Sequence, residues 1–203
     1  IMGGDYDAIY DAQAILVCYR VLEELKVSRI NLQINTIGCR TCRPLFKKKL
    51  QAFYKHKTVC SDCKRRLTEN PLRLLDCKEK GCEAVKKDAP LLLDSICGYC
   101  QNHFKLVLEY LDELKLPYVL NNNLIRGLDY YNRTVFEVFV EGTDSALGGG
   151  GRYDYLVEML GGRPTPAVGW ALGLERVALV MQGQGAVMAE KPKSQVFFVH
   201  IGD

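Results

Sequence analysis

The stretch of residues 126–137, RGLDYYNRTVFE, brings several unlike chemical groups together. Arg126 carries a forked donor that suits a carboxylate or a phosphate, and Tyr130 and Tyr131 each carry a phenolic hydroxyl. The β-branched and aromatic residues that follow predict a strand over 134–140. Because side chains alternate along a strand, one face is predicted to carry Tyr131, Arg133, Val135, Glu137 and Phe139.

The charges of Arg133 and Glu137 in this apolar strand face need a reason, because an unpaired buried charge is costly. Either the face is solvated, or it forms the wall of a polar cleft, and the residues alone leave both open. For Tyr130 and Tyr131 to line one pocket, the backbone must bend near Gly127, where glycine permits a bend.

Two glycine-rich stretches follow, SALGGGGRYDYLVEMLGG at 145–162 and PAVGWALGLERVALVM at 166–181. Each predicts glycines before a helix with an arginine close behind, Arg152 and Arg176 respectively. A helix N-terminus with a nearby arginine suits a phosphate group. Neither stretch matches a dinucleotide fingerprint or a P-loop, and tight turns alone would account for either one. Together they favour a nucleotide site without deciding it.

Eight of the nine cysteines occur in close pairs, three of them CxxC. Two thiolates at this spacing form half of a tetrahedral zinc site. Nested pairing predicts two sets, Cys60, Cys63, Cys77 and Cys82, and Cys39, Cys42, Cys97 and Cys100. The alternative is reduced, partly buried thiols, whereas a thioredoxin-like role lacks its βαβ context. Cys18 is predicted to lie in the core.

The elements that position these residues alternate between sheet and helix. Apolar periodicity predicts a helix over 5–26, a strand over 29–37, and helices over 45–54, 63–68 and 101–115. The β-pattern resumes at 118–120, a helix is predicted over 153–160, and a last strand is predicted over 195–201. A helical block between strand-forming regions indicates an insertion into a sheet-containing domain.

Composition and charge narrow the class of protein. The chain has 203 residues, of which 48% are hydrophobic and 25% charged, as in soluble globular proteins. Residues 39–116 carry 17 Lys and Arg against 10 Asp and Glu, a surplus of +7 that is compatible with nucleic-acid contact or with a solvated helical surface. No apolar run reaches the ~20 residues of a membrane span, so no membrane partner is expected. Nine cysteines without a leader segment predict a reducing, cytoplasmic location.

Residues 126–137 resemble the histidine-specific signature of the histidyl-tRNA synthetases, a class II aminoacyl-tRNA synthetase family. Residues 146–162 resemble the family's glycine-rich segment, and residues 166–176 resemble its motif 3. Residues 5–38 and 70–76 are also similar to bacterial members. The resemblance implies an α+β fold, part of the class II antiparallel-sheet catalytic core interrupted by a cysteine-rich helical insertion domain.

The resemblance also implies a division of the chain. The expected parts are catalytic core at 1–38, the insertion at 39–116, core with the histidine signature and motif 3 at 117–182, a linker at 183–193, and the start of a C-terminal anticodon-binding domain at 194–203. The family's motifs 1 and 2 find no counterpart, so the chain is expected to be a fragment that is inactive alone. Full-length members are expected to be homodimers.

The family's activity implies roles for named residues. L-histidine and ATP, with Mg²⁺, form histidyl-AMP, and histidine then passes to the 3′ end of its tRNA. Arg126 would contact the α-phosphate and the histidine, and Tyr130 and Tyr131 would line the imidazole pocket. Asp129 and Glu137 would support them. The ATP-binding positions would be Arg176, Gly149, Gly150, Gly169 and Gly173. The basic insertion would lie over the tRNA acceptor arm.

Two other functions remain as alternatives. One is the synthetase-like regulatory subunit of ATP phosphoribosyltransferase, whose signatures are usually degenerate, whereas RGLDYY and GLER are intact here. The other is a zinc module that binds nucleic acid by itself, against which the glycine and tyrosine motifs argue.

Overall fold

The computed structural model describes residues 2–143, 145–186, 196 and 198–202. Six strands form one sheet in the order β1-β6-β5-β4-β2-β3. Their bounds are Met2–Gly3 (β1), Ile30–Thr36 (β2), Val119–Leu120 (β3), Asn132–Val140 (β4), Gly148–Arg152 (β5) and Ala167–Leu172 (β6). All neighbours pair antiparallel except β2 and β3, which are parallel. The predicted α+β class with an antiparallel core is confirmed.

Most helices lie where apolar stripes predict them, with small shifts at their ends, whereas the helix over residues 80–86 is not predicted. Their bounds are Ile9–Glu24 (α1), Cys42–Tyr54 (α2), Ser61–Glu69 (α3), Lys80–Lys86 (α4), Gly98–Glu113 (α5), Leu156–Met159 (α6) and Leu174–Gly183 (α7). Two 3₁₀ turns span Pro71–Asp76 and Leu93–Ser95. None of the helices in the described part of the chain is long and apolar enough to cross a membrane.

The sheet buries a different core on each face, because its strands alternate in the side chains that they present. On one face, Phe136 and Val138 of β4 pack with α1 and α5. On the other face, Val135 packs with Phe46 and Leu50 of α2 and with the Pro71–Asp76 turn. The cysteine-rich segment therefore covers the second face, and it is there that the polar strand residues lie.

The glycines of the first glycine-rich stretch form a strand, and the helix predicted over 153–160 is shorter than expected. Gly148–Arg152 forms β5 between β4 and β6, and the helix that follows is limited to Leu156–Met159. A Cβ on Gly150 would lie 2.0 Å from the carbonyl oxygen of Gly169, and a Cβ on Gly149 would lie 2.4 Å from that of Phe136. Glycine is needed here for the close approach of three strands.

The strict alternation predicted for β4 also fails at one position. The pairing of β4 with β5 shifts register between Asn132 and Val135, and Arg133 has a φ of 53°. This bulge directs Arg133 towards Asp154, at 3.4 Å, and Tyr99. Arg133 therefore leaves the face that carries Val135 and Glu137.

The division of the chain into five parts remains a prediction. Helix α5, which that division assigns to the insertion, packs against α1 in the first core through Phe104, Val107 and Leu111. The predicted linker at 183–193 and the last predicted strand at 195–201 fall mainly outside the described residues.

Candidate active site

A cavity of about 810 Å³ lies over the second face of the sheet. Gln33 and Glu137, which pair across β2 and β4, form part of its floor. Asp76 and Lys78 of the cysteine-rich segment line it from above, and Arg176 of α7 lines it from the side. The face that carries Glu137 is therefore the wall of a polar cleft, the second of the two alternatives left open by the sequence.

Arg126 lies beside this cavity and is held by Glu137. Its Nη1 donates to Glu137 Oε1 at 2.5 Å, and its guanidinium lies 5.6 Å from the centre of the Tyr131 ring. Arg126 Nε is buried and has no partner among the described residues. Burial raises the pKa of Glu137, and the Arg126 charge opposes that rise. The pair fixes the guanidinium while leaving donors for an anion.

Gly149 allows Arg126 to lie against the sheet. A Cβ at this position would be 2.9 Å from Arg126 Nη1 as well as within 2.4 Å of the Phe136 carbonyl oxygen. A Cβ on Gly173 would lie 3.5 Å from the Arg176 side chain, an ordinary contact, so Arg176 does not require glycine at this position. Arg176 Nη1 donates to the Ala146 carbonyl oxygen at 2.8 Å. Gly149 thus makes room for Arg126, and contact of the glycines with adenosine stays a prediction.

Tyr130 and Tyr131 come together as predicted, next to Arg126 but outside the lining of the large cavity. Their ring centres are 4.5 Å apart, and the ring of Tyr153 meets both edge-on at 5.7 and 5.9 Å. Tyr131 is buried in the second core, whereas Tyr130 is half-buried. Burial, reinforced by Tyr131, raises the pKa of Tyr130 to about 12, so this phenol stays neutral.

Tyr153 is a residue of this aromatic group that the sequence analysis missed. The feature that could have identified Tyr153 is its position directly after β5, the strand that neighbours the tyrosines.

Arg152 is not available to a phosphate, and the prediction that placed it beside one is wrong. Its side chain is fully buried, and it donates to Asp11, to Asp154 and to the carbonyl oxygens of Asp5 and Asp7. Burial alone would lower the pKa of Arg152, but hydrogen bonding to Asp11 and the two carboxylate charges raise it. Arg152 therefore joins α1 to the sheet.

The eight paired cysteines form the two quartets that nested pairing predicts. Within Cys39, Cys42, Cys97 and Cys100, and within Cys60, Cys63, Cys77 and Cys82, all sulfur atoms lie within 4.8 Å of one another. The separations of 3.6, 3.8 and 3.9 Å, for the pairs Cys39/Cys42, Cys60/Cys77 and Cys42/Cys100, are close to the ~3.8 Å edge of a tetrahedron with ~2.3 Å zinc–sulfur bonds. Each set could hold one metal ion.

The thiols of the first quartet differ in acidity. For Cys39, burial is outweighed by hydrogen bonds from the amides of Cys42 and Thr41, which lower its pKa to about 6. Burial raises the pKa of Cys42 and of Cys100. Several thiols packed this closely disfavour full deprotonation, and a bound cation would reverse that preference.

The sequence model of a family described as Histidyl-tRNA synthetase matches residues 50–177. The chain belongs to the histidyl-tRNA synthetase family. The matched region contains Arg126, both adjacent tyrosines, the glycine strand and Arg176. The family model therefore covers the strand that carries Glu137 and both Arg126 and Arg176.

Members of the histidyl-tRNA synthetase family resemble the chain over nearly its whole length. A histidine–tRNA ligase of Dehalococcoides mccartyi is 45% identical over 204 residues, which is 98% of this chain and 49% of the relative. One of Nitratidesulfovibrio vulgaris is 48% identical over 181 residues, which is 87% of this chain and 43% of the relative. The chain thus spans about half the length of these curated relatives.

A solved structure of the same family has a similar fold. The apo histidyl-tRNA synthetase of S. aureus superimposes with a TM-score of 0.72 at 29% identity, covering 92% of this chain and 46% of the solved one. The fold of this chain is therefore similar to that of a solved histidyl-tRNA synthetase over 92% of the chain.

Proposed function

We propose that this chain carries part of the site at which a histidine–tRNA ligase forms histidyl-AMP. The observation that carries the proposal is the Arg126–Glu137 ion pair, seated against Gly149 beside a cavity that Arg176 also lines. The curated relatives at 45% and 48% identity bear the name histidine–tRNA ligase. We infer an aminoacyl-tRNA synthetase of the cytoplasm that acts as a homodimer.

In this reaction the histidine carboxylate attacks the α-phosphorus of magnesium-bound ATP, and the bond to pyrophosphate breaks. Arg126 would bind the α-phosphate oxygens as negative charge develops on them, and Glu137 would keep the guanidinium in place. Arg176 would bind the γ-phosphate from the opposite side of the cavity. Preorganised donors of this kind are typically worth on the order of 10²–10³ in rate.

Recognition of histidine would fall to the adjacent tyrosines. The pKa of Tyr130 is raised to about 12, so its hydroxyl remains a donor and acceptor at neutral pH. A hydroxyl placed against an imidazole can reject amino acids that lack ring nitrogens, because those would leave the hydroxyl unpaired. We also propose that Gly149, Gly150, Gly169 and Gly173 let histidine and adenosine approach the backbone.

The cysteine-rich segment would serve the tRNA. Its surplus of +7 over residues 39–116 favours contact with a phosphate backbone, which we infer to be the acceptor arm of histidine tRNA. Each cysteine quartet would hold one Zn²⁺ and so fix the short helices of a segment with a thin core of its own.

The regulatory subunit of ATP phosphoribosyltransferase is the less supported alternative. One similar solved protein, from Bacillus halodurans, is titled as such a regulatory subunit or a histidyl-tRNA synthetase. It is 17% identical with a TM-score of 0.52, a likeness that concerns the fold alone.

The proposal is tested with a full-length protein that contains this sequence and is as long as the curated relatives. Exchange of labelled pyrophosphate into ATP is measured with each of the twenty amino acids in turn. We expect exchange with histidine and not with the other nineteen. Absence of histidine-dependent exchange would refute the proposed activity.

A further inference from the structure

We propose that Arg43, Asn70 and Arg73, all in the cysteine-rich segment, are positioning residues for histidine activation. They hold the loop of residues 127–129, which connects Arg126 to Tyr130. The inference rests on the proposed function, and it gives the segment a part in the first step of the reaction, before any tRNA is bound.

Each of the three side chains donates a hydrogen bond to this loop. Arg73 Nη2 donates to the Gly127 carbonyl oxygen at 2.5 Å, and Arg43 Nη1 donates to the Asp129 carbonyl oxygen at 3.1 Å. Asn70 Nδ2 donates to Asp129 Oδ1 at 3.0 Å. These hydrogen bonds therefore fall on the first and last residues of a three-residue connection between two proposed substrate-binding side chains.

The loop has little other support. It lies between β3 and β4 and belongs to no helix or strand. None of the backbone–backbone hydrogen bonds that the structure gives outside helices and strands involves residues 125–131. Leu128, at its centre, is 53% exposed and contributes little packing. Its place is therefore set mainly by its two ends and by the donors above it.

The donors are themselves anchored to well-fixed parts of the segment. Arg43 follows Cys42 on α2 and also donates through Nε to the Ile37 carbonyl oxygen at 3.4 Å. Arg73 lies in the 3₁₀ turn before Cys77, and its own carbonyl oxygen accepts from Arg66 Nη1 at 3.2 Å. Each arginine is thus close in sequence to one cysteine quartet, so the structure of the cysteine-rich segment helps to determine the position of the loop.

Loss of these donors should displace Tyr130 and the backbone of Arg126, whose guanidinium is still held by Glu137, while leaving Arg176 in place, because Arg176 is held separately by Ala146. A displacement of about 1 Å at a reacting group can cost on the order of 10²-fold in rate. We expect Arg43→Ala and Arg73→Ala to raise the KM for histidine in pyrophosphate exchange at least roughly tenfold and to lower kcat. The KM for ATP should change less than about threefold.

The test uses the full-length protein and a control in the same segment. Lys105→Ala removes an equal charge from α5, where Lys105 pairs with Glu109 of its own helix and not with the loop. Arg73→Lys keeps the charge and the aliphatic stem but loses the fork. Arg73→Lys replaces Arg73→Ala in the test if Arg73→Ala lowers the melting temperature more than the control variant does.

The outcomes separate this inference from the proposed function. Absence of histidine-dependent exchange in the unaltered protein would refute the proposed function. With an active parent, a selective rise in the KM for histidine in the Arg43 and Arg73 variants, but not in Lys105→Ala, would support the inference. Unchanged kinetics, or equal changes in both KM values, would overturn it.

Discussion

At the scale of single residues, a buried polar network joins α1, α5 and the sheet. His103 Nε2 lies 3.7 Å from Asp11 Oδ2, and Arg152 bridges Asp11 to Asp154. Burial lowers the pKa of His103, Asp11 opposes this, and the charges of Arg152 and Arg133 reinforce it. His103 is therefore neutral at pH 7, and protonating it in the folded state is unfavourable.

This network predicts a loss of stability in mild acid. Below pH ~6.5 the unfolded chain binds a proton at His103 that the folded chain resists, so the free energy of unfolding falls by up to ~1.4 kcal/mol per pH unit. Denaturant unfolding at pH 7.5 and pH 5.5 should show a smaller loss for His103→Gln than for the unaltered chain. His56→Gln, at an exposed position, is the control. Equal losses in all three proteins would contradict the account.

The two arginines Arg152 and Arg176 show what sequence reasoning can and cannot resolve at this scale. Each follows glycine closely, and the local pattern favours phosphate contact for both. Arg176 lines the cavity, whereas Arg152 pairs with the carboxylates of Asp11 and Asp154, and Asp11 lies 141 residues away in the sequence. A partner so distant leaves no local pattern that could exclude Arg152 from a phosphate site.

At the scale of elements, hydrophobic periodicity predicts most helices and strands, and it fails where backbone geometry is unusual. Predicted elements at 29–37, 45–54 and 101–115 correspond to β2, α2 and α5. The glycine run has no side chains and so no period, although it pairs on both sides as β5. A pattern that assumes strict alternation of side chains along β4 cannot predict the bulge at Arg133.

The cysteine quartets lead to a prediction about metal content. Protein purified without added metal should contain one or two zinc ions per chain, and chelation should lower its melting temperature. Because protons compete for the thiolates, zinc should be lost more readily as the pH falls. Elemental analysis checks the first point, and thermal unfolding with and without chelator checks the second.

Matched variants make this test specific to each quartet. Cys42→Ser and Cys63→Ser should each remove one zinc ion, since they belong to different quartets. Cys18→Ala should keep both, because Cys18 lies in α1 and in neither quartet. Metal-free protein with eight titratable thiols and unchanged stability would establish the reduced-thiol alternative.

At the scale of the whole molecule, the cysteine-rich segment both covers the sheet and presents a basic outer surface. Lys48 and Lys49 of α2 and Lys64 and Arg65 of α3 are exposed, whereas Lys47 and Arg66 are half-buried. Residues 47–49 and 64–66 are two runs of three consecutive basic residues. Three successive helical residues spread over roughly 200°, so each run can offer only part of its charge to one phosphate strand. The sequence predicts this charge asymmetry, but not the anchoring of the 127–129 loop beneath it.

Removal of these charges should weaken tRNA binding without affecting histidine activation. In the full-length protein, Lys48→Ala with Lys64→Ala should lower affinity for histidine tRNA and flatten its salt dependence by about one unit for each phosphate that is no longer neutralised. Pyrophosphate exchange with histidine should not change, because it needs no tRNA. Lys105→Ala, on the exposed side of α5, is the control. If the affinity for histidine tRNA and its salt dependence did not change, the basic surface would be a solvated surface that does not bind tRNA.

The central claim is that this chain contributes the arginine that stabilises histidyl-AMP formation, and charging of tRNA tests it most directly. Attachment of labelled histidine to histidine tRNA is measured for the full-length protein and for Arg126→Ala. The account predicts charging by the unaltered protein and a loss on the order of 10²–10³ in the variant. Equal charging by both proteins, or no charging together with activation of an ATP phosphoribosyltransferase catalytic subunit, would contradict it.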